Sequence, residues 1–200
     1  VFSFGALTAA ASLGALAAPG DAHAQTPPAT PGGAVAESDA LLRQGVQLRQ
    51  QGRDDQALEA FRRAYELTHG ARALGQMALA EQAIGRWVDA HEHMTETLRA
   101  AADPWVVQNQ AALQTSMATI NEHVGRVIVN ATVEGAEVLV NNRVVGTTPL
   151  REPVRAVAGT AAVTVRAPRF IVMNRTVTVT AGSLTRESFE LVPDPNASVA

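Results

Sequence analysis

The chain has 200 residues, a formal net charge of -3 and an apolar fraction of 46%, which suffices for the cores of one or two small domains. So mild a charge gives no indication of nucleic-acid binding. Because the sequence contains no cysteine, it excludes disulfide bonds, thiolate zinc sites, a thiol nucleophile and a lipid-modified cysteine anchor.

The first 24 residues have the pattern of a secretory signal peptide. An uncharged apolar run from Phe2 to Ala18 precedes Ala22-His23-Ala24, a small-x-small cleavage site. We expect cleavage after Ala24 and export to the periplasm or cell envelope. The basic opening segment is missing, so we expect the true start to lie upstream or to be an alternative start codon. A membrane anchor is the alternative interpretation of the apolar run.

Residues 25–37 are rich in Pro, Ala, Thr and Gly and are predicted to form a flexible linker. Residues 38–124 are predicted to form five helices, because apolar residues recur there at helical spacing. Ser38 is a candidate N-cap of the first helix, Asp54-Asp55 begin the second, and Asp103-Pro104 begin the fifth, which should end near Val124. The third and fourth helices are expected at about 71–84 and 86–101.

The helical region contains an internal repeat. Gly52-Arg53-x-x-x-Ala57 recurs as Gly85-Arg86-x-x-x-Ala90. Two helical hairpins at this period resemble tetratricopeptide repeats (TPR), with the fifth helix as a cap. A plain five-helix bundle is the alternative. The resemblance implies packing roles, where helices approach closely or turn, for Gly45, Gly52, Ala57, Phe61, Ala64, Gly85 and Ala90.

The same resemblance implies a partner-binding concave face on the first helix of each hairpin. Polar side chains there would meet a segment of another protein. The residues expected on this face are Gln44, Gln47, Gln51, Arg72 and Gln76.

Residues 125–192 are predicted to form a small antiparallel β-sandwich of seven short strands. Apolar residues alternate with polar ones, and Gly or Asn turns separate the runs. The predicted strands are 126–131, 137–141, 143–145, 152–156, 162–166, 175–180 and 185–191.

Two motifs in this region carry a second resemblance. Val133-Glu134-Gly135-Ala136 is followed by Gly146-Thr147-Thr148-Pro149-Leu150, and this arrangement resembles the PEGA domain, an extracytoplasmic β module. Proline is replaced by Val133, and the usual Asp-Gly turn by Asn141-Asn142. The resemblance implies structural roles for Gly135, Ala136, Gly146, Thr148, Pro149 and Gly159.

Few residues suggest chemistry. His91, His93 and Glu96, with His123, are the one candidate metal cluster, but residues two apart on a helix point away from each other. We interpret them as solvated helix residues and expect no metal and no cofactor. Carbohydrate binding would need exposed aromatics, and the β region offers only Phe170 and Phe189, which also suit a core.

The sequence therefore predicts a two-domain α+β protein: TPR-like helical hairpins with a capping helix, then a PEGA-like β-sandwich. Residues 193–200 are expected to form a C-terminal linker or tail, which would suit a longer, membrane-anchored sensory or assembly protein. The predicted function is that of a non-enzymatic protein–protein scaffold of the bacterial envelope, whose partner is an envelope protein or peptide segment. Cell-wall polymer or carbohydrate binding is the alternative, and self-association is compatible with either.

Overall fold

The computed structural model describes residues 31–197. The predicted signal peptide, 1–24, and residues 25–30 of the predicted linker lie outside the described residues. The described chain consists of helices followed by strands, which confirms the α+β class with a C-terminal β domain. The helices are α1 (Pro31–Gln50), α2 (Asp54–Thr68), α3 (Ala71–Ala83), α4 (Trp87–Arg99) and α5 (Pro104–Asn121).

Helix α1 begins earlier than the sequence predicted. Residues 31–37 were predicted to be a flexible linker, but they form the first turns of α1. Proline suits the first helical position, because the backbone N–H that it lacks would have no partner within the helix there. Ser38 is therefore not an N-cap. Its hydroxyl donates to the carbonyl of Ala64 on α2 at 3.0 Å and lies 3.1 Å from Oγ1 of Thr68.

The two repeated motifs form the same turn. The amide of Arg53 donates to the carbonyl of Leu48, and that of Gly52 to Arg49. At the second copy Arg86 donates to Glu81 and Gly85 to Gln82. This is the Schellman motif, and it needs a left-handed residue, so glycine with a φ of 71° or 76° occupies each turn.

Each helix packs against the next in the chain, and α5 also packs against α3. One apolar cluster joins α1, α2 and α3, and a second joins α3, α4 and α5. The start of α5 follows the prediction, since the Asp103 carboxylate accepts from the amides of Trp105 and Val106. The Trp105 ring covers Gly75, where an added Cβ would lie 2.7 Å from it.

The β domain contains seven strands, as predicted. They are β1 (Val124–Ala131), β2 (Glu137–Val140), β3 (Arg143–Thr147), β4 (Val154–Val157), β5 (Gly159–Arg166), β6 (Met173–Val179) and β7 (Leu184–Phe189). One sheet has the order β4-β1-β7 and the other β3-β2-β5-β6. The inward residues of both sheets form one core, mostly of valine.

The prediction of a wholly antiparallel sandwich is wrong for one pair. Strands β1 and β7 are parallel, with Arg126 opposite Leu184 and Ala131 opposite Phe189. They are the first and last strands, so no short hairpin joins them and the returning chain is free to run in either direction.

The structure also corrects three domain boundaries. Helix α5 ends at Asn121 and β1 begins at Val124, so the helical domain ends earlier than expected. Gly125 lies in β1, where an added Cβ would stand 2.4 Å from the carbonyl oxygen of Thr180. At the other end, Pro193 bridges to Phe170, so it belongs to the β domain rather than to a tail.

Candidate functional site

The residues predicted to form the partner-binding face lie on the surface of the helical domain. Gln44 and Gln47 are exposed on α1, and Gln51 is exposed in the turn that follows, where its side chain accepts from Arg53. On α3, Arg72 is exposed and Gln76 is half-buried. The spacing of three or four residues along each helix places these polar groups in one stripe per helix.

A shallow groove of about 320 Å³ lies between α1 and α2. Leu41, Gln44 and Leu48 line one side of it. The α2 side carries Gln56, Glu59 and Arg63, among others. Of the five predicted residues, only Gln44 lines this groove, so the groove and the predicted face overlap at one position.

Most of the motif residues have structural roles inside the fold. Ala57, Phe61, Ala64 and Ala90 are fully buried, and Gly45 leaves room for the Phe61 ring. Gly135, which lies in a turn, and Gly159, the first residue of β5, have positive φ angles of 76° and 112°. These residues shape the two domains and offer no group to a ligand.

Thr148 explains why the two β motifs occur together. Its hydroxyl donates to the carbonyl of Val133 at 2.6 Å and accepts from the amide of Ala136 at 3.1 Å. Its own amide donates to the Ala136 carbonyl, and its carbonyl accepts from Gly135. Thr148 is buried, so these bonds form away from water and fasten the Gly135-Ala136 turn to the end of β3. Pro149 follows it and is exposed, and Gly146 approaches Leu150 closely.

Helix α4 joins the helical domain to the β domain. Asp89 accepts from Arg143 of β3 at 3.3 Å, and His91 accepts from Arg155 of β4 at 3.3 Å. Only two residues separate α5 from β1, and one of them, His123, stacks on Trp87 of α4 with ring centroids 3.7 Å apart. Contacts to β1, β3 and β4 therefore hold α4 against one end of the sandwich.

His91 is held as a neutral side chain. It is 8% exposed, and its Nε2 must be unprotonated to accept from Nε of Arg155. The Thr95 hydroxyl donates to the His91 carbonyl and lies 3.2 Å from Nδ1, so it can accept the Nδ1 proton. Burial lowers the pKa of His91 below 6.5, and the Arg155 charge lowers it further, while contact with Asn121 acts the other way.

His93 has the opposite environment. Its Nδ1 lies 2.7 Å from a carboxylate oxygen of Glu81, which is 1% exposed on α3. The hydrogen bond to Glu81 raises the pKa of His93 above 6.5, against the effect of burial, and the negative charge of Glu81 raises it further. His93 was interpreted as a solvated helix residue; instead it is half-buried and bonded to Glu81.

The two histidines predict opposite pH dependences of stability. The pKa of His91 is lower in the folded protein than in the unfolded chain. Its contribution to the free energy of unfolding is therefore complete above pH 6.5 and is lost as the pH falls through the folded pKa. The pKa of His93 is higher in the folded protein than in the unfolded chain. Its contribution to the free energy of unfolding is therefore complete below pH 6.5 and is lost as the pH rises through the folded pKa.

Urea unfolding of the wild type, His91→Gln and His93→Gln between pH 5 and 8 measures both effects. The stability advantage of the wild type over His91→Gln should shrink towards pH 5. Its advantage over His93→Gln should shrink towards pH 8. If the stability difference between wild type and variant changed with pH in the same way for both variants, the pairing of His91 with a cation and of His93 with an anion would be contradicted.

A cleft of about 450 Å³ opens where α4 meets the sandwich. We call it the junction cleft; its walls are Val88 and Glu92 of α4, residues 140–141, residues 143–145 and residues 153–157. Half of its lining residues are valines, and Arg143 and Arg155 are its positive groups. The sequence did not predict this cleft. The sequence feature that could have indicated it is a pair of arginines, Arg143 and Arg155. Each lies next to a valine in a short predicted strand with weak alternation.

Other kinds of site have less support within residues 31–197. No group of three or more His, Asp or Glu residues there could hold a metal ion. The ring of Phe189 is in the β core and that of Phe170 packs against it, so neither offers an open stacking surface for a sugar. In the same part of the chain, no helix is both long enough and apolar enough to cross a bilayer.

The comparison with known families agrees with the β fold. Residues 124–195 match the family model described as the PEGA domain, which spans all seven strands and the bridge at Pro193. No curated protein matches the chain. The PEGA match supports an extracellular or envelope-associated, protein-binding module, and it covers the β domain only.

Proposed function

We propose that the chain is a non-enzymatic, exported scaffold protein of the bacterial cell envelope. In this account the signal peptide is removed after Ala24, and TPR-like hairpins bind a segment of an envelope protein. The PEGA domain acts as a spacer or as a contact with the envelope.

The repeat geometry supports the TPR-like part of the proposal. Both hairpins end their first helix in the same Schellman turn, at Gly52 and at Gly85. Repeats of this kind stack neighbouring hairpins and close the last one with an extra helix, and α5 covers the second hairpin in that manner.

The observation that carries the proposal is the polar face on the first helix of each hairpin. Gln44, Gln47 and Gln51 on the α1 side and Arg72 on α3 are exposed, and none of them is needed for the core. Glutamine and arginine side chains can bond the backbone and side chains of a bound segment. They also resist non-specific apolar association, which suits a face that must stay soluble until it meets its partner.

A pull-down from the envelope fraction of the source organism tests this function. The purified protein should retain a defined envelope protein, and the triple variant Gln44→Ala, Gln47→Ala, Gln76→Ala should weaken that binding about tenfold or more. The matched control replaces Gln108, Gln110 and Gln114, which are exposed on α5, and should bind as the wild type does. Retention of no protein, or equal loss in both triple variants, would contradict the proposal.

A further inference from the structure

The two open sides of the β-sandwich differ. On the side of β6 and β7, Arg175 of β6 donates to Glu187 at 3.0 Å and to the carbonyl of Ser188 at 3.1 Å, and it lies over the Phe189 ring. Thr185 of β7 donates to the carbonyl of Thr178 on β6 at 3.2 Å. These bonds join the two sheets and close that side.

The side of β3 and β4 has no such closure. Within residues 31–197, β3 pairs only with β2 and β4 pairs only with β1, so each has a free edge, and no hydrogen bond joins the two strands. The junction cleft occupies the space between them. Free strand edges offer backbone donors and acceptors in a row, which another extended chain can pair with.

The edge of β4 is the better of the two for pairing. The β2–β3 register shifts between Val138 and Leu139, so β3 carries a bulge that interrupts its regular edge. Strand β4 pairs with β1 in regular register from Val154 to Val157. An added strand on β4 would therefore find an undistorted template about four residues long.

The apolar walls of the cleft are partly exposed. Val144 of β3 is 52% exposed and Val157 of β4 is 38% exposed. Both face solvent beside the free edges, and removing such apolar side chains from water is favourable. A bound strand with β-branched side chains would cover them and pack well against the pleated surface.

Arg155 provides the charge that selects the ligand. Its Nε is bonded to the neutral His91, and no carboxylate of residues 31–197 forms an ion pair with it. Arg143, by contrast, is already paired with Asp89. The terminal amino groups of Arg155 thus remain free of a carboxylate partner at the wall of the junction cleft, where a carboxylate of the ligand could bind both of them.

We propose that the junction cleft binds an extended segment of another protein that is rich in β-branched residues and carries an aspartate or glutamate. The segment pairs with the free edge of β4, its apolar side chains cover Val144 and Val157, and its carboxylate binds Arg155. This site is separate from the polar face of the helices, so it stands even if that face binds nothing.

A peptide pool tests the proposal on the intact protein. The probe is a pool of acetylated, amidated heptapeptides with aspartate at the centre and Val, Ile or Thr elsewhere; the control pool has asparagine at the centre. Titration followed by amide NMR shifts should show changes at residues 144 and 154–157. The aspartate pool should bind at least tenfold more tightly than the asparagine pool.

Variants separate the site from a general loss of structure. Val144→Glu and Arg155→Gln should each weaken binding of the aspartate pool at least tenfold. Val172→Glu, at a valine 50% exposed outside the cleft, should leave it unchanged, as should the Gln44, Gln47 and Gln76 triple variant. Equal affinity for the two pools on the wild type, shifts confined to other residues, or a dimer of the chain that Val144→Glu abolishes would each overturn the proposal.

Discussion

Gly45→Ala is expected to destabilise the helical domain by about 2 kcal/mol, although alanine forms helices better than glycine does. The added methyl carbon would lie 2.3 Å from one carbon of the Phe61 ring and 2.6 Å from another. The ring is fully buried between α1 and its neighbours, so it has no free space into which to move. Urea unfolding followed by far-UV circular dichroism measures the loss.

The second hairpin shows how this clash can be relieved. The residues one repeat later than Gly45 and Phe61 are Ala78 and Met94, both fully buried. In the second hairpin alanine takes the place of glycine. Methionine, which is narrower and more flexible than a phenylalanine ring, takes the place of phenylalanine. In a Phe61→Met background we expect Gly45→Ala to cost almost nothing, so a double-mutant cycle should give a coupling of about 1–2 kcal/mol.

Gly32→Ala is the matched control on the same helix. Nothing lies within 4 Å of the position that its Cβ would take, so the variant should be neutral or more stable by up to about 1 kcal/mol. If Gly45→Ala stabilised the protein as Gly32→Ala does, or if the cycle showed no coupling, the close contact of α1 with Phe61 would be wrong.

Thr148→Val is expected to destabilise the β domain by about 2–4 kcal/mol. Valine has nearly the same shape, but it leaves the amide of Ala136 and the carbonyl of Val133 without their hydroxyl partner. Ala136 is fully buried, so water does not readily replace the lost bond. Thermal unfolding followed by near-UV and far-UV circular dichroism measures the effect.

The neighbouring threonine provides the control. Thr147 is exposed on β3, so Thr147→Val should change stability by no more than about 0.5 kcal/mol. Thr148→Ser keeps the hydroxyl and should retain most of the stability. A Thr148→Val variant as stable as Thr147→Val would show that Thr148 does not fasten the turn.

The strands and turns could be predicted from local sequence patterns, because each of them depends on a few neighbouring residues. The seven strands followed from alternation, and the turn at Asn141-Asn142 has the left-handed backbone that asparagine tolerates, with φ angles of 48° and 65°. The repeated Gly-Arg motif predicted two equivalent turns, which the structure contains.

Long-range contacts could not be read from the sequence. Nothing local indicates that β7 returns parallel to β1, or that Gly125 makes room for the backbone at Thr180. The start of α1 was missed because Gly32 and Gly33 have low helix propensity. His91 and Arg155 are far apart in the chain, so their bond, and the junction cleft beside it, depend on the way α4 meets the sandwich.

The proposed scaffold function requires that the polar face of the helices meet a partner in the envelope. Site-specific photo-crosslinking tests it most directly, with benzoylphenylalanine placed at position 47 on α1 or, as a control, at position 110 on α5. Irradiation should join position 47, but not position 110, to one defined envelope protein. A crosslink of equal yield from both positions, or from neither, would contradict it.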